Sequence, residues 1–222
     1  MLRVDGMFLK PMRAHLLQEA ALVGFSHMLQ VINKLARQLA DPDGFFDGVR
    51  AEKWKPAFVF FFWVTLFISL VTPVVNYFGV ESTDFSSSYQ AQIVAYGLVK
   101  NNLLNTYGPC AYLIEPVLIF ALAFLILLFL TAFLHVIYRF IGGQGSVLNA
   151  WKAACYGLGP CLLGGFLPYV ALFAAFYSFA MQFYLGPMVL YNVKQGRAII
   201  VFVVFVALTF IEMFVLGTTA GL

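Results

Sequence analysis

Long apolar runs are the dominant pattern along this chain. Residues 57–80, 111–138 and 198–218 each exceed the roughly 20 residues that cross the hydrocarbon core of a bilayer as a helix. Residues 147–191 are too long for one span, and a turn rich in glycine and proline at residues 164–168 divides them into a helical hairpin. The five predicted spans are residues 57–80, 111–138, 147–163, 168–191 and 198–218.

The composition agrees with this pattern. Hydrophobic residues make up 62% of the chain and charged residues only 10%, which leaves too little polar surface to cover a soluble globule. A backbone in lipid must satisfy its own hydrogen bonds, and the sequence lacks the alternating pattern of a membrane β-barrel. We therefore predict an all-α membrane protein built as a bundle of five transmembrane helices.

A separate segment, residues 1–40, precedes the five-span membrane domain, residues 41–222. Its apolar residues recur at helical spacing and predict an amphipathic helix: Leu17, Ala21, Phe25, Met28, Ile32 and Leu39. Polar residues interrupt the segment too often for a cleavable signal sequence. The helix either lies on the cytoplasmic leaflet or binds a partner protein. Asp41-Pro42-Asp43-Gly44 ends it, and a short mixed segment leads to the first span.

The basic residues are distributed unevenly about the predicted spans. All 13 except Lys100 lie before the first span or in the turns on the same side of the membrane. Cytoplasmic loops carry the excess of lysine and arginine, so the N-terminus is predicted to be cytoplasmic and the C-terminus external. Trp54, between Lys53 and Lys55, is typical of an anchor at the level of the lipid headgroups.

Prolines and small residues mark the third and fourth predicted spans. Pro160 and Pro187 each remove a backbone donor, which frees a carbonyl group one turn earlier in the helix. In the third span, Gly157, Cys161 and Gly165 recur every four residues and predict a close contact with a neighbouring helix.

Two acids fall within predicted spans, Glu115 in the second and Glu212 in the fifth. An intramembrane carboxyl group is costly, so it usually faces protein or water and marks a function. Both residues are therefore candidates for a proton or cation site, with hydrogen bonding between helices as the alternative. The histidines and cysteines are scattered along the chain, and we predict no metal site and no catalytic residues.

The turn between the second and third predicted spans contains Gly142, Gly143, Gly145 and Ser146. Backbone amides beside a helix N-terminus would form a binding site for a lipid phosphate or for a partner. The alternative is a simple tight turn, in which glycine supplies the positive φ. No Gly-Lys-Ser or Gly-Lys-Thr sequence is present, which argues against a nucleotide-binding P-loop.

The order of these motifs carries a family resemblance. Asp-Pro-Asp-Gly-Phe-Phe begins at Asp41, Trp-Lys-Pro begins at Trp54, and the glycine turn precedes Tyr156-Gly157-Leu158-Gly159-Pro160. From Asp41 to Leu216 the chain resembles the Yip family, the Ypt/Rab-interacting membrane proteins, and most of all its archaeal and bacterial members. The family signature Gly-Tyr-x-x-x-Pro is matched by Tyr156 and Pro160, with Cys155 in its first position. The eukaryotic signature Asp-Leu-x-Gly-Pro has no counterpart before the first span; Tyr107-Gly108-Pro109 precedes the second span instead.

This resemblance implies a five-span protein with a cytoplasmic N-terminal region, no enzymatic activity and no cofactor. Eukaryotic members bind small GTPases and other members of the family. We therefore expect contacts with membrane lipids, with a protein partner and with further copies of the chain, and none with nucleic acid. The predicted function is a membrane adaptor or organiser in a prokaryotic cytoplasmic membrane. The alternative is a small transporter or channel that uses Glu115 and Glu212.

Overall fold

The structure is a computed structural model, and it describes residues 26, 28–77, 87–164 and 171–219. Across these residues it is almost entirely helical and contains no strand, which confirms the predicted all-α class. The helices are α1 (28–40), α2 (Pro42–Ala51), α3 (Trp54–Tyr77), α4 (Ser87–Tyr107), α5 (Ala111–Phe140), α6 (Val147–Gly164), α7 (Ala171–Phe179) and α8 (Gln195–Thr219). A 3-10 turn, Gly108–Cys110, joins α4 to α5, and a π-helix, Ala180–Leu190, continues α7.

Only the C-terminal part of the predicted amphipathic helix lies within the described residues, as α1. The predicted positions Leu17, Ala21 and Phe25 lie outside them. The other three, Met28, Ile32 and Leu39, are exposed, with 42%, 50% and 55% of their surface accessible. Val31 and Gln38 face the bundle instead.

A second short helix, α2, follows the predicted helix break. The Asp41 side chain caps this helix by accepting a hydrogen bond from the Gly44 N–H at 3.1 Å. Pro42 fits the first helical position, where a backbone donor is not needed. The buried face of α2 is formed by Phe45, Phe46 and Val49. The segment predicted to be mixed is therefore an ordered helix that packs on the bundle.

α6 lies at the centre of the bundle, where it packs against α3, α5, α7 and the π-helix. Its fully buried residues include Ala150, Ala153 and Ala154. Side chains of this size let membrane helices approach closely. By contrast, α8 lies at the edge, and most of its apolar side chains face outward.

Four stretches of the described residues are long and apolar enough to cross a membrane: Trp54–Val71, Gly97–Phe140, Phe173–Leu190 and Gln195–Glu212. α6 is not among them, because Asn149 and Lys152 near its start lower its mean hydropathy. The predicted hairpin turn between α6 and α7 falls largely on residues 165–170, which lie outside the described residues.

Candidate functional site

Tyr156, the tyrosine of the sequence signature, joins three helices. It lies on α6 and is fully buried. Its ring meets Phe45 of α2 edge-on, with ring centres 5.0 Å apart, and packs against Phe60 of α3 at 5.1 Å. Edge-to-face aromatic pairs of this kind add about 0.5–1.5 kcal/mol beyond the burial of their surface. Tyr156 therefore fixes α2 and α3 against the central helix.

The hydroxyl group of Tyr156 belongs to a three-membered polar cluster with Lys34 and Glu52. It donates a hydrogen bond to Glu52 Oε2 at 2.5 Å and accepts one from Lys34 Nζ at 2.7 Å. Lys34 and Glu52 also form a salt bridge, and their side chains are only 28% and 24% exposed. A partly buried ion pair is screened less by salt than a surface pair. The cluster ties α1 and the residue after α2 to α6.

The backbone of Tyr156 shows why proline follows four positions later in the signature. Pro160 has no N–H, so the Tyr156 carbonyl loses its usual helical donor. The Nε2 atom of Gln38, a fully buried residue of α1, donates to that carbonyl at 2.8 Å. Tyr177 of α7 in turn donates its hydroxyl hydrogen to the Gln38 carbonyl. The proline thus creates an acceptor on α6 that docks α1.

Pro187 has the same effect in the π-helix. In a π-helix each N–H donates to the carbonyl five residues earlier, so the missing donor at Pro187 leaves the Gln182 carbonyl free. The hydroxyl group of Tyr138, from α5, donates to this carbonyl. Gly186 makes the approach possible, because a Cβ atom there would lie 2.6 Å from the Tyr138 oxygen. Both prolines therefore produce a hydrogen bond between helices.

Glycines of α6 lie at its closest contacts. A Cβ atom on Gly157 would lie 2.3 Å from the Gln182 side chain, and one on Gly159 would lie 2.7 Å from the Phe60 ring. The Gly157 carbonyl also accepts a hydrogen bond from Ser178. These contacts agree with the close packing predicted around Gly157. The Cys161 side chain and Gly165, also part of that prediction, lie outside the described part of the structure.

Lys152 is a buried cation that the sequence analysis counted only as a basic residue of a cytoplasmic turn. It is 4% exposed, and its Nζ donates to the carbonyls of Val49, Arg50 and Glu52 at 3.0, 3.1 and 3.0 Å. The last carbonyls of a helix have no partner within the helix, and a lysine can bind them. Lys152 therefore caps α2 from α6.

The glycine turn packs around Tyr191, the residue that follows the π-helix. The N–H groups of Gly143 and Gln144 donate to the carbonyls of Tyr138 and Tyr191, both at 2.8 Å. A Cβ atom on Gly145 would lie 2.6 Å from the Tyr191 ring. The Tyr191 hydroxyl donates to the Ser146 carbonyl at 2.6 Å.

Gly142 has φ of 88°, a conformation that side chains rarely adopt, and its N–H donates to the Arg139 carbonyl. These bonds hold the turn within the protein, and a ligand bound by Gly142, Gly143, Gly145 or Ser146 stays a prediction.

A polar cleft of about 420 Å³ opens beside the glycine turn. It lies between the start of α3 and the start of α6. Its polar lining comprises Glu52, Lys53, Lys55, Ser146, Asn149 and Lys152. The cleft adjoins the Tyr156 cluster through Glu52.

The two intramembrane acids differ in their surroundings. Glu115 lies at the start of α5 and is 5% exposed, and its Oε1 atom has no hydrogen-bond partner among the described residues. Glu212 lies on the outward face of α8. The structure therefore does not place the two carboxyl groups in one buried site. Within the described residues, no three side chains of His, Cys, Asp or Glu are grouped to hold a metal ion.

Sequence reasoning identified Tyr156, Gly157 and Pro160 but missed Lys34, Gln38 and Glu52. The carbonyl group freed by Pro160 was the available signal, because a buried acceptor requires a donor from elsewhere. Nothing in the sequence indicates that the donor lies 118 residues earlier in the chain.

Comparison with known proteins places these features in a family. A family model of the Yip1 domain matches residues 36–216, a range that begins just before Gln38 and includes α2, Tyr156 and Pro160. No curated protein and no solved structure matches the chain. The Yip family is a non-enzymatic membrane protein family. Because the match covers well over half of the chain, the protein belongs to the Yip1-domain family.

Proposed function

We propose that this protein is a non-enzymatic membrane adaptor or organiser that binds protein partners or lipids and associates with further copies of itself. The main support for this proposal is that the Tyr156 cluster attaches α1 and α2 to the bundle. Burial of Gln38 and Val31 leaves apolar side chains of α1 uncovered, among them Leu29 and Leu39, which are 45% and 55% exposed. Exposed apolar groups on a fixed helix are typical of a binding surface.

We also propose five spans, a cytoplasmic N-terminus and an external C-terminus in a prokaryotic cytoplasmic membrane. The hydrogen bond from Gln144 N–H to the Tyr191 carbonyl supports this count. It joins the start of α6 to the end of the π-helix, so these two segments form a return hairpin and either both cross the membrane or neither does. Phe173–Leu190 is long and apolar enough to cross, and α6 would cross with it.

Photocrosslinking from α1 tests the adaptor function. A photoreactive amino acid replaces Leu39 in the full-length protein in its native membrane, and the same group replaces Phe173 of α7 as the control. Phe173 is also apolar and is 76% exposed, but it belongs to α7 and not to α1. We expect a protein that crosslinks from position 39 and not from position 173. The same products from both positions would contradict a specific binding surface on α1. Crosslinks only to lipid would exclude a protein partner at this surface.

The transporter alternative is favoured by one observation: the Oε1 atom of buried Glu115 has no hydrogen-bond partner among the residues that the structure describes. A buried carboxyl oxygen without a donor is costly unless water or an ion reaches it. Proton or potassium flux into proteoliposomes measures this function directly. Loss of flux in Glu115→Gln with unchanged assembly would support transport, and Glu212→Gln tests the second acid. Absence of flux in the unsubstituted protein would leave Glu115 with a structural role.

A further inference from the structure

An elongated crevice runs between α1 and α3. Its larger part has a volume of about 390 Å³, and its smaller part, of about 200 Å³, adjoins the first residues of α3. Val31 lines both parts, which places them next to each other. The larger volume falls within the range of about 300–1,000 Å³ that is usual for ligand sites.

The lining of the crevice is apolar throughout its larger part and includes polar side chains only in its smaller part. The larger part has only apolar and aromatic side chains in its lining, including Met28, Ile32, Leu35, Trp63, Phe67 and Leu70. The smaller part adds Gln30, Lys34 and Lys55. A molecule that fills both parts therefore needs a long apolar segment and an anionic or polar end.

Lys55 is the cation available to such a molecule. Lys34 is already bound to Glu52 and Tyr156. Lys55 is exposed and makes no ion pair within the described residues. It also lines the polar cleft beside the glycine turn, so a headgroup at Lys55 has polar space on the side of that cleft. Basic pockets at the cytoplasmic ends of membrane helices are suited to anionic lipid headgroups.

We propose that the crevice between α1 and α3 binds one anionic phospholipid. Its phosphate group lies at Lys55 and one acyl chain lies along the apolar lining past Trp63. Lipid tails are as apolar as leucine, so the acyl chain by itself gives no preference for the crevice over the bilayer. The preference comes from the headgroup, and one lysine near the membrane surface gives about a fivefold selectivity for anionic over zwitterionic lipid. This inference takes from the proposed function only the cytoplasmic position of Lys55.

Tryptophan fluorescence measures occupancy of the crevice, because Trp63 is part of its lining. The chain has three tryptophans, so Trp54→Phe and Trp151→Phe leave Trp63 as the only emitter. The protein is reconstituted into phosphatidylcholine vesicles that contain increasing fractions of either dibromo-acyl phosphatidylglycerol or dibromo-acyl phosphatidylcholine. Bromine quenches on contact, so the two curves compare the two lipids at the same position.

We expect phosphatidylglycerol to quench Trp63 at about fivefold lower mole fraction than phosphatidylcholine, a ratio that follows from the contribution of one lysine. Lys55→Gln should bring the two curves together. Lys53→Gln is the matched control: it removes a neighbouring charge that lines the cleft but not the crevice, and it should leave the difference in place. Ile32→Phe narrows the apolar part and should weaken quenching by phosphatidylglycerol.

Equal quenching by the two lipids would show that only bulk lipid contacts Trp63, which overturns the proposal. Quenching by neither would show that something other than lipid covers the crevice, with the same consequence. If the Trp54→Phe and Trp151→Phe background does not elute as a single species, native mass spectrometry of the unsubstituted protein with the same two lipids replaces fluorescence. None of these outcomes changes the crosslinking expected from Leu39, so the lipid site and the adaptor function are tested independently.

Discussion

Two prolines remove a helical hydrogen bond each, and in both cases a side chain from another helix replaces the lost donor. Gln38 binds the Tyr156 carbonyl that Pro160 leaves free, and Tyr138 binds the Gln182 carbonyl that Pro187 leaves free. An unsatisfied buried carbonyl costs about 1–3 kcal/mol, more than one ordinary hydrogen bond contributes. Gln38 and Pro160 therefore act as one pair, and Tyr138 and Pro187 act as another, so each pair can be tested with a double-mutant cycle.

Gln38→Met keeps the volume of the side chain but removes the donor. We expect it to lower the free energy of unfolding by about 1–3 kcal/mol, because the Tyr156 carbonyl is then buried without a partner. Pro160→Ala restores an N–H on α6, so Gln38→Met should cost clearly less in that background. Unfolding by denaturing detergent, followed by circular dichroism, gives the four values of this double-mutant cycle. Equal costs in the two backgrounds would show that Gln38 acts through packing alone.

Gly159 and Gly48 are expected to respond in opposite ways to substitution by alanine. Both lie inside helices, where alanine is favoured over glycine by about 0.8–1.0 kcal/mol. Gly48→Ala should stabilise the protein, because within the described structure no atom outside the local helix backbone and the adjacent residues lies within 4 Å of the added Cβ position. Gly159→Ala should destabilise it by about 1–3 kcal/mol, since its Cβ would lie 2.7 Å from the fully buried Phe60 ring. Thermal unfolding of both variants in the same detergent makes the comparison, and a stabilised Gly159→Ala would contradict the close contact between α6 and α3.

Sequence patterns predicted the helices of this protein better than the polar contacts between them. The helical periodicity of the N-terminal segment predicts that Met28, Ile32 and Leu39 face lipid or a partner, and all three are exposed in the structure. The same helix buries the polar Gln38, because the freed carbonyl of Tyr156 requires a donor. Tyr156 and Pro160 could be identified from the sequence motif, but their partner Gln38 could not.

At the scale of the element, α2 shows why a short helix escapes sequence analysis. It has ten residues, and isolated helices of that length are marginal in water. Its stability comes from outside itself: Phe45 packs on Tyr156, and Lys152 binds its last carbonyls. The spacing of Phe45, Phe46 and Val49 fits one face of a helix, but nothing in residues 42–51 indicates the contacts with α6 that stabilise it. The long apolar helices were predictable because each carries its own signal.

Removing the Lys152 cap should therefore loosen α2 selectively. Lys152→Met leaves the carbonyls of Val49, Arg50 and Glu52 without the donor that they share. We expect amide hydrogen exchange within α2 to accelerate by about tenfold or more, since three hydrogen bonds to a charged group are lost together. Lys53→Met is the matched control, because Lys53 is exposed and makes none of these bonds. Exchange measured by mass spectrometry should change in α2 and remain the same in α5; uniform acceleration would indicate global destabilisation instead.

At the scale of the whole molecule, the hydrogen bonds of the glycine turn support the proposed count of five spans. Hydropathy alone leaves α6 below the level of a membrane helix, because Lys152 and Asn149 lie near its start. Both polar groups are satisfied within the protein: Lys152 binds the end of α2, and Asn149 Nδ2 donates to the Leu190 carbonyl at 3.0 Å. A helix whose polar groups bind the protein remains compatible with a position inside a membrane bundle.

Cysteine labelling in intact cells tests the resulting topology. Cys110 is exposed between α4 and α5, and the proposed orientation places it outside the cell. In a Cys161→Ser background, a membrane-impermeant maleimide should label Cys110 without permeabilisation. Adding Cys110→Ser should abolish that labelling, because the remaining Cys155 is buried in α6. In the Cys110→Ser, Cys161→Ser background, Gln144→Cys and Lys194→Cys should both react only after permeabilisation, because the hairpin of α6 and the π-helix brings both positions to the same side. Labelling of Gln144→Cys and Lys194→Cys from opposite sides would exclude the hairpin and with it the five-span arrangement. If all three positions react from the sides opposite to those expected, the hairpin is retained but the N-terminus is external. That result would support the arrangement of the helices and contradict the orientation that the basic residues predict.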